Sequence, residues 1–187
     1  MLIKLSATFR RFSNGWVTLL GLLVFVLFTI TVLPAQSTQA EQSAGETNTP
    51  DLSFYYSAEQ LYGMAEGYGT EGRSAYIRAR FTFDLVWPLV YGFFLVTSLS
   101  WLAGKALQEG SRWELANLLP LAGVIFDYLE NTSTSLVMQR YPVETWLAAN
   151  LAGFFTLLKW LTIGASFVFL VLFCVGAVWR WLRKEKK

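Results

Sequence analysis

Long apolar runs separated by short polar stretches dominate the 187-residue chain. Four of them approach or exceed the roughly 20 helical residues that span a hydrocarbon core. They occupy residues 16–33, 81–103, 115–138 and 147–179, and predict four transmembrane helices. The fourth run is longer than a bilayer requires, so its helix must tilt or project beyond the surface. Two unlike stretches separate the first and second runs. Residues 34–50 contain no large apolar side chain and predict a flexible linker outside the membrane. Residues 51–80 are aromatic-rich, with Phe54, Tyr55, Tyr56, Tyr62, Tyr68 and Tyr76 beside Leu61 and Met64. Here Ser57-Ala58-Glu59-Gln60 has the form of a capping box and predicts a short amphipathic helix ending near Gly67. Thr70 is placed to cap a further helix carrying Arg73, Arg78 and Arg80 into the second span.

Composition supports the same class. Only 15% of residues are charged and 54% are apolar, whereas ordinary soluble domains carry about 25% charged residues. The formal net charge of +2 is small, and the basic residues flank apolar runs instead of forming a stripe with aromatics. Nucleic acid is therefore not expected as a partner. The single cysteine, Cys174, excludes an internal disulfide and a C-x-x-C pair, and the absence of histidine excludes histidine triads, zincin motifs and histidine haem ligation. No cofactor is expected, and acid–base chemistry would fall to carboxylates, lysine, tyrosine or water.

Lysine and arginine set the predicted orientation. Lys4, Arg10, Arg11, Lys105, Arg112, Arg180, Arg183, Lys184, Lys186 and Lys187 fall on one side; Arg73, Arg78, Arg80 and Arg140 fall on the other. The positive-inside rule then predicts a multi-pass protein of the inner (plasma) membrane with both termini cytoplasmic. Residues 1–15, 104–114 and 180–187 are the expected cytoplasmic parts, and 139–146 an external loop. The first apolar run is longer than a typical signal-peptide core, and Thr38 fits poorly at the −3 position of a cleavage site after Ala40. It is expected to stay as an anchor.

Ionisable residues within spans are costly, about 2.5–3.5 kcal/mol each at the centre even on insertion scales. Asp84 lies in the second span, Asp127, Glu130 and Asn131 in the third, and Lys159 in the fourth. A rise of about 1.5 Å per residue puts Asp127 and Glu130 roughly 12–17 Å below the outer end of their helix. Lys159 falls at similar depth, so the whole set belongs to the outer half of the membrane. Asp84, Pro88 and Tyr91 share one helical stripe, with Arg80 and Arg73 extending it outward; Asp127, Glu130, Asn131 and Thr134 share another. Pro88 also frees the carbonyl of Asp84 from its helical bond.

Two readings of this cluster stand. Lys159 with Asp127 or Glu130 is an ion pair that fixes helix packing. Alternatively the cluster is a functional cavity. Asp127 and Glu130 would then be acid and base, Lys159 would neutralise the site, and Asp84, Tyr91, Asn131, Arg73 and Arg80 would contact a ligand. A hard cation on Asp84, Asp127 and Glu130 is a variant of the second reading.

The segments GRSAYIRARFTFDLVWPLVY, from Gly72, and PLAGVIFDYLEN, from Pro120, carry G-R-x-x-Y…D-x-x-x-P-x-x-Y and D-x-x-E-N. This pairing resembles small bacterial four-helix membrane proteins with no assigned function. The resemblance covers residues 51–180 and implies a shared fold, not an activity. The expected architecture is thus an all-α, membrane-embedded four-helix bundle with a short extracytoplasmic amphipathic helix between its first two spans. The expected function is an accessory or interaction protein, in contact with the lipid bilayer and with a membrane-protein partner or a second copy. The alternative is a membrane enzyme or ion-coupled carrier acting on a lipid or small amphiphile.

Overall fold

A computed structural model describes residues 1–44, 49–50 and 53–184. Among these the chain is helical, with no strand. The elements are α1 (Leu2–Phe12), α2 (Gly15–Thr31), α3 (Leu33–Ala44), α4 (Ala58–Gly67), α5 (Gly69–Arg80), α6 (Phe83–Ala106), a 3-10 helix (Arg112–Leu118), α7 (Leu119–Arg140) and α8 (Trp146–Lys184). Three helical stretches are long and apolar enough to cross a membrane: Gly15–Thr38, Gly69–Ala106 and Trp146–Arg183.

Local chemistry explains several boundaries. Asn14 Oδ1 accepts from the backbone N–H groups of Trp16 and Val17, at 3.0 and 3.1 Å, and so starts α2. The capping box of α4 forms as its sequence predicts: Ser57 Oγ accepts from Gln60 N–H and Gln60 Oε1 from Ser57 N–H. Gly69, at φ +59°, takes the left-handed conformation that turns the chain from α4 into α5. Thr70 sits inside α5 and not at its cap, which is Tyr68. Phe81 and Thr82 interrupt the path from α5 to α6. Much of the expected linker is helical: Pro34 to Ala44 belong to α3, and Thr49 and Pro50 are buried. Residues 45–48 of that linker, and 51–52 after it, lie outside the described residues.

The chain divides into two compact units. The first comprises Met1–Val26, Val90–Gly123 and Leu161–Lys187. Its core is Leu99, Leu102, Ala103, Ala116 and Phe173, with Trp101 and Phe169 packed against them. Helices approach closely here. A Cβ on Gly21 would lie 3.2 Å from Phe94 Cα, and one on Gly176 3.2 Å from Ala106 Cβ. Thr18 Oγ1 donates to the Thr97 carbonyl at 3.3 Å, and Phe25 stacks on Phe94.

The second unit comprises Leu27–Leu89 and Val124–Trp160. Tyr56, Leu61, Met64, Ala65, Tyr68 and Tyr76 pack with Val137, Met138, Ala149 and Ala152, so the aromatic segment forms a core with α7 and α8. Phe28, Phe83 and Trp87 form a separate stack. Helix α3 lies against α5.

Candidate functional site

The ionisable residues singled out within the apolar runs converge in the second unit. Arg80 at the end of α5, Asp84 in the first turn of α6, Asp127, Glu130 and Asn131 of α7, and Lys159 of α8 are each less than a tenth exposed. Periodicity accounts for their convergence. On α7 the buried positions are Val124, Asp127, Glu130, Asn131, Thr134, Ser135, Val137 and Met138, while Ile125, Leu129 and Leu136 face outward. The helix thus buries Asp127, Glu130 and Asn131 while several of its large apolar side chains face outward.

Two hydrogen-bonded chains connect these side chains. In one, Lys159 Nζ stands 2.5 Å from Glu130 Oε2, and Tyr56 Oη donates to Glu130 Oε1 at 3.3 Å. In the other, Arg80 Nη1 lies 3.0 Å from Asp84 Oδ2 and donates to Asn131 Oδ1 at 3.5 Å. Asn131 Nδ2 in turn donates to Asp127 Oδ1 at 3.0 Å. The Arg80 guanidinium also covers the Tyr76 ring, 4.5 Å from its centroid. Near Pro88, Tyr128 Oη donates to the Leu85 carbonyl at 2.8 Å, which ties α7 to the proline-bearing turn of α6.

The segment before α4 is fastened to this cluster at several points. Besides the Tyr56–Glu130 bond, Trp160 Nε1 donates to the Ser53 carbonyl at 3.1 Å, and Phe54 stacks on Trp160. Lys159 lies 5.4 Å from the Trp160 ring centroid. Gly153 permits the closest approach, since a Cβ there would collide with the Tyr56 carbonyl oxygen. Tyr62 Oη accepts from Thr145 N–H at 2.5 Å and holds α4 to the start of α8.

Other expected site residues are placed differently. Arg73 turns toward its own neighbourhood, donating to the Ala65 carbonyl at 2.8 Å and covering the Tyr141 ring at 4.8 Å. Arg78 is exposed. Tyr91 is buried but belongs to the other compact unit. Among the described residues no three His, Cys, Asp or Glu side chains gather closely enough to hold a metal ion. The hard-cation variant on Asp84, Asp127 and Glu130 therefore lacks its ligand cage and is not carried further. Sequence reasoning missed Tyr56, Trp160 and Gly153. Tyr56 lies among several tyrosines and meets Glu130 across 74 positions, so no local spacing marks it.

The arrangement is chemically that of a clasp. Each carboxylate has a cationic or amide neighbour, and four helices and one connecting segment meet there. Buried ion pairs add little net stability over a well-packed apolar substitute, but removing one partner leaves a charge in low dielectric and is expensive. No known family model matches the chain, and no curated protein or solved structure is significantly similar to it.

Proposed function

We propose that this chain is a four-helix integral membrane protein of the inner membrane, with both termini cytoplasmic, and that it serves as an accessory or interaction subunit. The membrane part of this reading is supported by outward-facing apolar surface. In the most apolar stretch of Gly15–Thr38 only 6% is buried, and in that of Trp146–Arg183 only 11%. Water does not tolerate such continuous apolar faces, whereas lipid does. α7 completes the fourth span, because its most costly polar residues, Asp127, Glu130 and Asn131, are turned inward.

The observation that carries the accessory reading is the closure of the charged cluster on itself. Its ion pairs are spent on holding α5, α6, α7 and α8, and Tyr56 fastens the aromatic segment to the same group. That fastening fixes Phe54 and Tyr55, which are 56% and 59% exposed, and Trp146, at 70%, on the same unit. They form the proposed contact surface for a membrane-protein partner or a second copy. A photo-crosslinking amino acid at Phe54 or Tyr55 should yield one discrete adduct in native membranes, while the same group at Val171 labels lipid. Labelling of lipid alone at all three positions would overturn the accessory reading.

The charge count favours a second reading. Among the described residues, the buried acidic and basic side chains of this unit are three carboxylates and two cations. A carrier or enzyme for a lipid or small amphiphile would use that excess, with Asp127 and Glu130 as acid and base. Changed membrane lipids in an Asp127→Asn strain, with protein stability intact, would support it over the first.

A further inference from the structure

Helix α1 presents three faces with three different chemistries. Leu2, Leu5, Phe9 and Phe12 follow the i, i+3, i+7, i+10 spacing of one apolar face; Leu2 and Phe12 are 60% and 68% exposed. Lys4, Thr8 and Arg11 form a second face, and all three are exposed. Ser6 and Arg10 form the third, which docks on the 3-10 helix of the same unit. There Ser6 Oγ donates to the Glu114 carbonyl at 3.1 Å, and Arg10 Nη1 stands 2.6 Å from Glu114 Oε1. Asn117, fully buried, donates through Nδ2 to the Ser6 carbonyl at 3.1 Å and to Ser100 Oγ at 2.9 Å. The docking fixes the helix's rotation, so its apolar and basic faces are held in set directions and not left to roll.

We propose that α1 is an interfacial helix whose partner is anionic phospholipid: the apolar face enters the acyl boundary and Lys4 and Arg11 bind phosphate headgroups. Short helices with one apolar and one basic face lie in the bilayer interface in this way. Charge complementarity selects the lipid class. The unit that holds α1 carries ten Lys or Arg against three Asp or Glu, a net charge of +7. Each basic residue near an anionic leaflet strengthens the attraction. Trp16, 82% exposed just after α1, is an amphipathic side chain suited to the same headgroup depth. The inference rests on the membrane reading but does not need the accessory one.

The test uses the full chain with Cys174→Ser, carrying one spin label at Thr8→Cys, Phe12→Cys or Val171→Cys, in nanodiscs of phosphatidylcholine and phosphatidylglycerol. The label at Phe12 should be accessible to oxygen and shielded from a water-soluble nickel reagent, and the label at Thr8 the reverse. Native mass spectrometry from equimolar mixed micelles should show phosphatidylglycerol retained over phosphatidylcholine, with the preference falling several-fold in Lys4→Gln/Arg11→Gln. A Phe12 label open to nickel, or shielded from both reagents as against another protein, would overturn the proposal. So would a lipid preference that the double variant leaves unchanged. The Val171 label separates the two failures: if it too is open to nickel, the membrane reading itself falls.

Discussion

The two compact units solve the burial of polar groups in opposite ways. In the first, the buried polar side chains among the described residues are neutral: Ser6, Thr97, Ser98, Ser100, Asn117 and Ser166. Its charged side chains, among the described residues, are all partly or fully exposed. The second unit, with five Lys or Arg against ten Asp or Glu, places Arg80, Asp84, Asp127, Glu130 and Lys159 inside. Neutral hydrogen bonds contribute about 1 kcal/mol each, and a buried neutral group left without its partner costs about 1–3 kcal/mol. Buried charges are nearly neutral while matched and very costly when unmatched. The first unit therefore tolerates the loss of a polar partner better than the second.

The sharpest way to break this contrast is at Lys159. Lys159→Met or Glu130→Gln alone should lower unfolding stability in detergent by about 3–5 kcal/mol, and the double variant should recover most of that. Equal stability of the single variants would dissolve the clasp. Next, Gly153→Ala forces a Cβ onto the Tyr56 carbonyl and should cost about 1–3 kcal/mol or more through backbone displacement. Gly164→Ala in the first unit, where a Cβ would meet nothing within 4 Å, should be neutral or slightly stabilising. Thermal melts of the pair compare the units at the same kind of position. Tyr56→Phe should cost about 1.5 kcal/mol, the low end for a hydrogen bond to a charged group, and limited proteolysis should then cut residues 53–57 faster. The smallest effect belongs to Arg10→Gln, since Arg10 is itself partly exposed, at 28%; about 0.5–1 kcal/mol is expected, read as faster hydrogen exchange in α1.

What the sequence discloses depends on range. The capping box at Ser57 is local, and the structure contains it as written. The inward polar face of α7 follows from helical spacing alone. The partners within the cluster do not: spacing aligned Asp84 with Tyr91, yet Tyr91 belongs to the other unit, because a stripe along a helix does not say which neighbours each turn meets. Arg73 illustrates a further limit, since a guanidinium satisfied by the nearby Ala65 carbonyl is indistinguishable in sequence from one waiting for a ligand. Helix α3 was hidden by its polar composition. Helix α1 was legible from Leu2, Leu5, Phe9 and Phe12, but its basic residues drew attention to charge in place of period.

The inward polarity of α7 bears on how such a chain would be made. A lone α7 carrying Asp127, Glu130 and Asn131 offers the translocation machinery a segment that is poor at partitioning into lipid. Arg80 precedes α7 in the chain, but the partner of Glu130, Lys159, lies on α8 and is synthesised after it. On the proposed four-span reading, insertion of α7 would then wait for α8, with α7 retained in a protected vestibule until α8 emerges. Shortening the nascent chain before residue 159 should leave α7 outside the bilayer.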